Sequence, residues 1–427
     1  MEQLMQYVWQ YRLWPELVMT ASDGRRVDIV DAGTINRGSG PDFFNAKVRV
    51  DGQMWAGNIE IHVRASDWHR HHHDDDPAYD NVILHVVRYD DEQILRRTDH
   101  RPLPQVTMRC ADDFRAQYDA LVNQPALELP CAAHLGDFPR LFLTEWVAAL
   151  AFERLQRKAD DILATLATTR GDWNTTAYIT LARGLGFGAN ADPMERLARS
   201  VPLHRLIQHS DDHTAVEAML FSRSGLLSAT PRDHYEEQLQ AEARFYATKF
   251  SLPEPAPLNW QMRQRPQNQP HRRIAFLAAF VFDGFPIASS ILNLANPADA
   301  AALFDVATSA YWGDHSNFGR PCPPHRPQLG AESVNRLCIN VVAPLLYAYG
   351  QHIGDSRRQD MAVDLLQALK PERNSVTAIF TGAGLEARDA FTTQAYIQLR
   401  REYCQTRKCL YCRLGHRILA SKVPARH

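Results

Sequence analysis

The stretch "GPDFFNAKVRVDGQMWAGNIEIHVR", residues 40–64, predicts a β-hairpin. Polar and apolar residues alternate on both sides of Asp51 and Gly52. Asp-Gly between two such runs is a strong hairpin signal, because both residues tolerate the positive φ angles of a tight turn. In the second run Glu60 and His62 lie two positions apart, so they project from the same face of the sheet. The hairpin therefore places a carboxylate and an imidazole side by side.

The segments around the hairpin predict an α+β protein. An amphipathic helix opens the chain, and the runs "RRVDIVDAG" and "NVILHVV" are typical of strands. The second run is apolar at nearly every position, which favours a central strand covered on both faces. From about residue 137 apolar residues recur at helical spacing. We therefore expect a small α/β domain over residues 1–130 and a larger, mostly α-helical domain over residues 131–427.

Length and composition narrow the class of protein. The 427 residues are too many for a single core of ordinary size. The chain has neither a run of about 20 apolar residues nor a signal-peptide pattern, so we expect a soluble cytoplasmic protein without a membrane partner. Residues 1–130 carry 14 Lys and Arg against 21 Asp and Glu, and the remainder carries 33 against 28. This asymmetry suits a cation-binding domain beside a phosphate-facing one, although drift in surface charge has the same result.

The hairpin carries the first candidate site, formed by Asp42, Glu60 and His62. Antiparallel pairing brings Asp42 towards Glu60, so the two carboxylates converge on Mg²⁺ or Mn²⁺, which prefer oxygen ligands. The ion lowers the pKa of an attacking water, and His62 positions or deprotonates that water. Asp42 shares its register with the apolar residues of its strand, so convergence requires a bulge or a non-strand Asp42. The alternative is a hairpin with a solvated polar face.

Two further histidine features lie near this hairpin. The run "DWHRHHHDDD", residues 67–76, offers additional metal ligands or, through protonated imidazoles, phosphate contacts. The alternative is a solvated loop. His85 lies within an apolar strand, which favours a buried histidine with a hydrogen-bond partner. It adjoins the site if its strand pairs with that of Glu60.

The C-terminal segment carries a second candidate metal site. The spacing C-x4-C-x2-C-x3-H is within the looser range of zinc sites, and its ligands are Cys404, Cys409, Cys412 and His416. A distant fourth cysteine, Cys322 or Cys338, would instead permit an iron–sulfur cluster. The alternative is a set of buried thiols. The odd total of seven cysteines does not indicate a secreted disulfide framework.

A basic segment in the second half suggests contact with nucleic acid. The run "MRQRPQNQPHRR" surrounds a proline-rich turn before a predicted helix, and its candidate phosphate-binding residues are Arg263, Arg265, Arg272 and Arg273. The alternative is a solvated basic loop.

The chain as a whole resembles an uncharacterised bacterial family, domain of unknown function 2851. The resemblance rests on "GPDFFNAKVRVDG", "GNIEIHVRASDW", "DPAYDNVILHVV", "RPQNQPHRRIAFLA" and "CLYC", which are spread over nearly the whole sequence. It implies family membership but no particular activity.

The first domain also resembles the PD-(D/E)XK nuclease superfamily, in which a helix precedes a hairpin that carries Pro-Asp and then Glu-x-Lys. The Pro-Asp pair that ends at Asp42 and the triplet from Glu60 to His62 occupy those places, so His62 replaces the usual lysine; Lys47 on the neighbouring strand is a spatial substitute. The resemblance implies a restriction-endonuclease-like fold and a Mg²⁺- or Mn²⁺-dependent nuclease whose helical domain holds DNA or RNA. The alternative is a non-catalytic nucleic-acid-binding or scaffold protein on a degenerate nuclease fold.

Overall fold

The computed structural model describes residues 1–14, 19–36, 38–110, 112–122, 128–250, 257–264 and 268–420. The chain divides into two compact units: residues 1–136 with the C-terminal segment from Arg401, and residues 137–400. The first unit carries a sheet and the second is mostly helical, so the α+β class is as predicted.

The strands are concentrated in the first unit. In chain order they are β1 (Met19–Thr20), β2 (Arg26–Asp31), β3 (Thr34–Ile35), β4 (Phe43–Val50), β5 (Gln53–Arg64), β6 (Val82–Tyr89), β7 (Gln105–Thr107), β8 (His315–Asn317) and β9 (Arg320–Pro321). The sheet of the first unit has the order β1-β2-β4-β5-β6-β7, with β3 paired to β4. β4 and β5 are antiparallel, whereas β5, β6 and β7 are mutually parallel. β8 and β9 pair with each other in the second unit.

The predicted hairpin is formed by β4 and β5. Its turn residues Asp51 and Gly52 have φ angles of 46° and 86°, the left-handed conformation that a tight hairpin turn requires. β6 is the predicted central strand, since it lies between β5 and β7 and is buried along residues 82–87. Parallel pairing of β5 with β6 sets Glu60 level with His85, so the two side chains share one face of the sheet.

Helices make up most of the remaining chain. In the described ranges they are α1 (Glu2–Gln10), α2 (Asp67–Arg70), α3 (Asp112–Val122), α4 (Arg140–Thr168), α5 (Trp173–Leu185), α6 (Ala191–Ser200), α7 (Leu203–Ile207), α8 (His213–Ser224), α9 (His234–Lys249), α10 (Pro270–Val281), α11 (Ile287–Leu292), α12 (Ala331–Leu337), α13 (Ala343–Ile353), α14 (Ser356–Ala368), α15 (Ser375–Gly382), α16 (Ala390–Gln398) and α17 (Arg413–Ala420). None of these helices is both long and apolar enough to cross a membrane.

The C-terminal segment belongs to the first unit, which corrects its expected place in the helical domain. α17 packs against α3, and it buries Leu414 and Leu419. His416 of α17 is hydrogen-bonded to the hydroxyl of Tyr7 in α1, which itself lies against β5. An amphipathic helix buries its apolar face against neighbouring elements, and for α17 these elements are helices of the first unit.

The second unit contains a fully buried helix. Every residue of α10 from Pro270 to Val281 is buried, and α5 and α8 pack against it. The neighbouring helices begin at side-chain caps: Asp172 accepts from backbone N–H groups at the start of α5, and Asp212 does so at the start of α8. α10 is therefore covered on all sides, including at its charged residues.

Candidate metal centre

The site lies on the face of β5 that carries Glu60 and His62, and both side chains are buried. Asp42 reaches this face because the pairing of β4 with β5 is irregular between Phe43 and Ala46, where Asn45 has a φ angle of 57°. The extra residue of the bulge shifts the alternation of side chains between the two faces of the sheet. Asp42 therefore does not point to the same face as the apolar residues that follow the bulge. The structure thus brings Asp42, Glu60 and His62 together.

Hydrogen bonds fix the Asp42 carboxylate. Its Oδ1 accepts from Nε2 of Gln6 at 2.8 Å, and its Oδ2 accepts from the backbone N–H of Ile61 at 3.1 Å. The backbone N–H of Asp42 donates to Oε2 of Glu60 at 3.0 Å. Both oxygens of the Asp42 carboxylate therefore accept hydrogen bonds from protein groups. The second oxygen of Glu60, Oε1, faces the neighbouring imidazoles.

Two imidazoles approach this oxygen, and a third approaches one of the two. Oε1 of Glu60 lies 3.4 Å from Nε2 of His62 and 3.3 Å from Nε2 of His73, and Nδ1 of His71 lies 3.2 Å from Nε2 of His62. One ring nitrogen from each histidine lies within 4.8 Å of the others, a grouping found nowhere else among the described His, Cys, Asp and Glu residues. We call Glu60, His62, His71 and His73 the His/Glu cluster.

The loop after β5 supplies His71 and His73. Asp67 accepts from the backbone N–H of Arg64 at 3.1 Å, which fastens the start of the loop to the strand. His73 is buried and stacks on Tyr79 with ring centroids 3.7 Å apart. Its contact with Glu60 lacks the direction of a hydrogen bond, so Nε2 is a buried nitrogen without a hydrogen-bond partner. His71 is exposed and marks the open side of the cluster.

A relay of hydrogen bonds fixes the tautomer of His62. The amide nitrogen of Gln105 donates to the Asp90 carboxylate and to the carbonyl of Glu92, so the oxygen of Gln105 faces Nδ1 of His85, at 2.9 Å. Nδ1 of His85 therefore carries the proton, and Nε2 of His85 accepts from Nδ1 of His62 at 2.9 Å. The lone pair of His62 is left on Nε2, which points into the cluster. Metal-binding histidines are usually held in this way by a partner on the second nitrogen.

Burial keeps the ion-free cluster nearly uncharged. It raises the pKa of Glu60 to about 8, and burial with the nearby Glu60 carboxylate raises the pKa of Asp42 to about 7. Burial, followed by the charges of the other histidines, lowers the pKa of His62 to about 2. A bound cation favours the ionised carboxylate and the neutral imidazole, so its binding is coupled to proton release.

The donor set indicates the class of cation. Ligands 2.0–2.1 Å from a tetrahedral ion lie roughly 3.3 Å from one another. The contacts from His71 to His62, from His62 to Glu60 and from Glu60 to His73 have about this length, at 3.2, 3.4 and 3.3 Å, whereas the group within 4.8 Å contains the three histidines without Glu60. Three imidazole nitrogens and one carboxylate oxygen suit Zn²⁺ or Mn²⁺ better than Mg²⁺, which prefers oxygen ligands. The arrangement differs from the expected pair of carboxylates, because Glu60 acts with histidines while Asp42 is bonded to Gln6 and Ile61.

Residues 2–375 match a family described as proteins of unknown function (DUF2851). The chain belongs to this family. No curated protein and no solved structure matches it significantly. The part of this DUF2851 protein that matches includes the whole His/Glu cluster and ends before the C-terminal cysteines.

The C-terminal residues of the DUF2851 protein do not form a comparable group. Nδ1 of His416 is bonded to Tyr7, and the ligand atoms of Cys404, Cys409, Cys412 and His416 do not gather within 4.8 Å of one another. Cys131 is buried, and burial followed by the nearby Cys412 and Cys409 thiols raises its pKa to about 12. A zinc or iron–sulfur site in this segment stays a prediction.

The four predicted phosphate-binding arginines have separate environments. Arg263 is exposed, and Arg265 lies outside the described residues. Arg272 and Arg273 are inside α10, each only 3% exposed. Direct contact with a polymer needs exposed guanidinium groups, so this structure does not present Arg272 and Arg273 to nucleic acid as expected. A charged residue in a helix is usually exposed, and only the packing around α10 reveals the exception.

Lys47 does not take the place of the superfamily's lysine. It is exposed and pairs with Ala56, four residues from Glu60 along β5. At about 3.3 Å per residue this separation is roughly 13 Å, beyond the reach of its side chain. Position 62 therefore contributes an imidazole, and Lys47 does not supply a positive charge in its place.

Proposed function

We propose that the DUF2851 protein is a metal-dependent hydrolase of phosphodiester bonds in DNA or RNA, with Zn²⁺ or Mn²⁺ held by the His/Glu cluster. The observation that carries the proposal is a group of three imidazole nitrogens within 4.8 Å of one another, two of which belong to histidines that lie 3.4 and 3.3 Å from the buried Glu60 carboxylate. The choice of a phosphodiester substrate rests on the resemblance of the hairpin and its preceding helix to the PD-(D/E)XK superfamily.

The side chains around the ion have distinct roles in this proposal. A bound ion supplies a Lewis acid and a water of lowered pKa. Glu60, His62 and His73 hold it from the buried side, and His71 closes the coordination from the exposed side. Asp42 lies beside Glu60 and contributes a carboxylate that can exchange a proton with the metal-bound water. The half-buried Glu2 lies near Asp42 and adds negative charge at the entrance.

One observation favours a second candidate function, nucleic-acid binding without cleavage. In the superfamily that the hairpin resembles, a lysine stabilises negative charge, whereas His62 is neutral and committed to His85 through Nδ1. His62 therefore supplies no positive charge for the transition state, and the guanidinium of Arg70, which is close enough to lower the pKa of His62, is paired with Asp67. A binding protein requires only affinity that weakens with salt.

Cleavage assays distinguish the two functions. We would deplete the purified protein of metal, restore Zn²⁺, Mn²⁺ or Mg²⁺, and incubate it with labelled single- and double-stranded DNA and RNA. We expect cleavage with Zn²⁺ or Mn²⁺ in the wild type. Glu60→Gln and His73→Gln should abolish it, because each removes a ligand.

The control is His72→Asn, in the same loop. His72 is exposed, lies outside the cluster and has a φ angle of 60°, which asparagine tolerates. This variant should cleave like the wild type. A protein that binds one equivalent of metal but cleaves none of the four substrates would contradict the hydrolase, and salt-sensitive binding of any of them would then support the second function.

A further inference from the structure

The strongest unexplained feature outside the metal centre is a pair of buried arginines in the second unit. Arg272 and Arg273, which we call the arginine pair, lie in the first turns of α10 and are each 3% exposed. Arginine is almost never fully buried unless its charge is paired. A buried charge without a counter-charge is costly, so its surroundings should contain one.

The described residues provide no such counter-charge. Nη2 of Arg273 donates to the side-chain oxygen of Asn268, and its guanidinium lies 4.3 Å from the ring centroid of Phe187. The guanidinium of Arg272 lies 5.8 Å from the ring centroid of Phe276. The Nε atoms of both arginines have no hydrogen-bond partner, and no described carboxylate forms an ion pair with either.

An ion pair of a buried carboxylate with an exposed arginine in the same unit shows how a buried charge is compensated here. The Glu236 carboxylate is buried and accepts from Nε and Nη2 of Arg232 at 2.9 and 2.8 Å. It also accepts from the backbone and hydroxyl of Ser228. By contrast, the arginine pair offers several hydrogen-bond donors, and the described residues around it include no charged acceptor.

The surroundings of the arginine pair include a third guanidinium, that of Arg336, which is itself paired with Glu332 at the surface. Arg336 is close enough to Arg273 to lower its pKa, after burial and Arg272, to about 9, so Arg273 remains charged at neutral pH. Asn268, which Arg273 reaches, lies two residues before the first residue of α10. The guanidinium therefore lies beside the N-terminal end of a 12-residue helix, where unpaired N–H groups and the helix dipole favour an anion.

We propose that the arginine pair, with Asn268 at the start of α10, binds a phosphate dianion. Two buried guanidiniums require about two negative charges, and the planar fork of arginine matches phosphate oxygens bidentately. Burial excludes the internal phosphates of a polymer, so the ligand is inorganic phosphate or the terminal phosphate of a small monoester. This site is in the second unit and does not depend on the proposed hydrolase.

Thermal unfolding of the full-length protein tests the proposal. We would compare sodium phosphate with sodium chloride at equal ionic strength and pH 7.5, and confirm binding by isothermal titration calorimetry. The wild type should gain about 2 °C in Tm when phosphate is present at tenfold its Kd. Arg273→Gln should lose this gain and bind phosphate at least tenfold more weakly. The matched control is Arg196→Gln, an exposed arginine of α6 in the same unit, which should respond like the wild type.

Two further arms keep the test decisive. If Arg273→Gln does not fold, Arg273→Lys retains a charge without the fork and should still weaken phosphate binding. Competition with adenosine monophosphate, but not with adenosine, identifies the terminal phosphate of a monoester as a ligand; the absence of competition restricts the site to the free ion. A wild type without a phosphate-specific shift, or equal shifts in Arg273→Gln and Arg196→Gln, overturns the proposal.

Discussion

The His/Glu cluster of the first unit and the arginine pair of the second both contain buried polar side chains without a full set of partners. The charge of the missing partner differs between the two regions. In the cluster, Nε2 of His73 and Oε1 of Glu60 lie 3.3 Å apart without hydrogen-bond geometry, beside the lone pair of His62. In the arginine pair, the buried Nε–H groups have no acceptor. The first arrangement is therefore suited to a cation and the second to an anion.

The two regions also differ in how they tolerate the absence of a ligand. Carboxyl and imidazole groups can lose their charge, and burial shifts the pKa of Glu60 to about 8 and that of His62 to about 2. The cluster is thus nearly neutral without an ion. Arg273 keeps its charge at pH 7, because even its lowered pKa is about 9. An empty arginine pair therefore destabilises the fold, whereas an empty His/Glu cluster does so much less.

The largest expected effect comes from removing a compensated buried charge. Glu236→Gln keeps the shape of the side chain, but the buried amide cannot accept from all of the Arg232 and Ser228 donors that converge on the carboxylate, so we expect a loss of about 3 kcal/mol in the free energy of unfolding. Urea unfolding at pH 7 measures it. Arg273→Gln in phosphate-free buffer should be neutral or stabilising, because it removes an uncompensated charge. Equal destabilisation by the two variants would show that the arginine pair is already compensated.

A smaller effect should appear as a pH dependence. Glu217 is fully buried and accepts only from the neutral donors Trp312, Ser309 and Tyr235, so burial raises its pKa to about 7 despite these hydrogen bonds. Its folded pKa exceeds the unfolded value of about 4.3, so its contribution is complete below pH 4.3 and is lost as the pH rises through 7. Between pH 5 and pH 8 the wild type should lose about 2–3 kcal/mol more of its unfolding free energy than Glu217→Gln.

The control for Glu217 is Glu237→Gln. The side chain of Glu237 is 68% exposed, so this variant should follow the wild-type pH profile in urea unfolding. If Glu217→Gln followed the wild-type profile as well, Glu217 would be ionised in the folded protein. Its surroundings would then compensate a buried charge with neutral donors alone.

The local chemistry of the sequence predicts the sheet well. Asp-Gly between alternating runs predicts the β4–β5 hairpin, and the apolar run around His85 predicts a buried strand, because both depend on neighbouring residues. The convergence of Asp42 with Glu60 depends on the bulge at Asn45. Asparagine tolerates a positive φ angle, but many asparagines do not adopt one, so the alternation pattern alone does not locate the bulge.

The remaining features depend on tertiary packing. His71 and His73 belong to a loop with three consecutive histidines, and spacing does not show that these two join His62 in one group while His72 stays outside it. The positive φ angle of His72 causes this difference. The burial of the arginine pair and the return of α17 to the first unit likewise depend on contacts between segments that are distant in sequence.

The smallest expected effect concerns the relay that orients His62. Gln105→Leu removes the acceptor of the Nδ1 proton of His85. The tautomer of His85 whose Nε2 lone pair faces His62 is then no longer favoured. If the proton moves to Nε2 of His85, His62 must carry its own proton on Nε2, which then blocks the metal. Loss of such a supporting partner typically costs 10–100-fold in metal affinity, and we expect that range for Zn²⁺ in competition with a chromogenic chelator.

A restoring variant separates orientation from packing. Gln105→Glu again provides an oxygen for the Nδ1 proton of His85, but its second oxygen faces the Asp90 carboxylate. Gln105→Glu combined with Asp90→Asn restores a donor opposite that oxygen, so Zn²⁺ affinity should return towards the wild-type value in the double variant, whereas a purely structural role would not be restored by a charged residue. Gln93→Leu, at an exposed position, should bind like the wild type. Wild-type affinity in Gln105→Leu, alongside loss of binding in Glu60→Gln, would show that the ligands orient themselves. The cation site would then depend only on the His/Glu cluster, just as the proposed anion site depends on the arginine pair and Asn268.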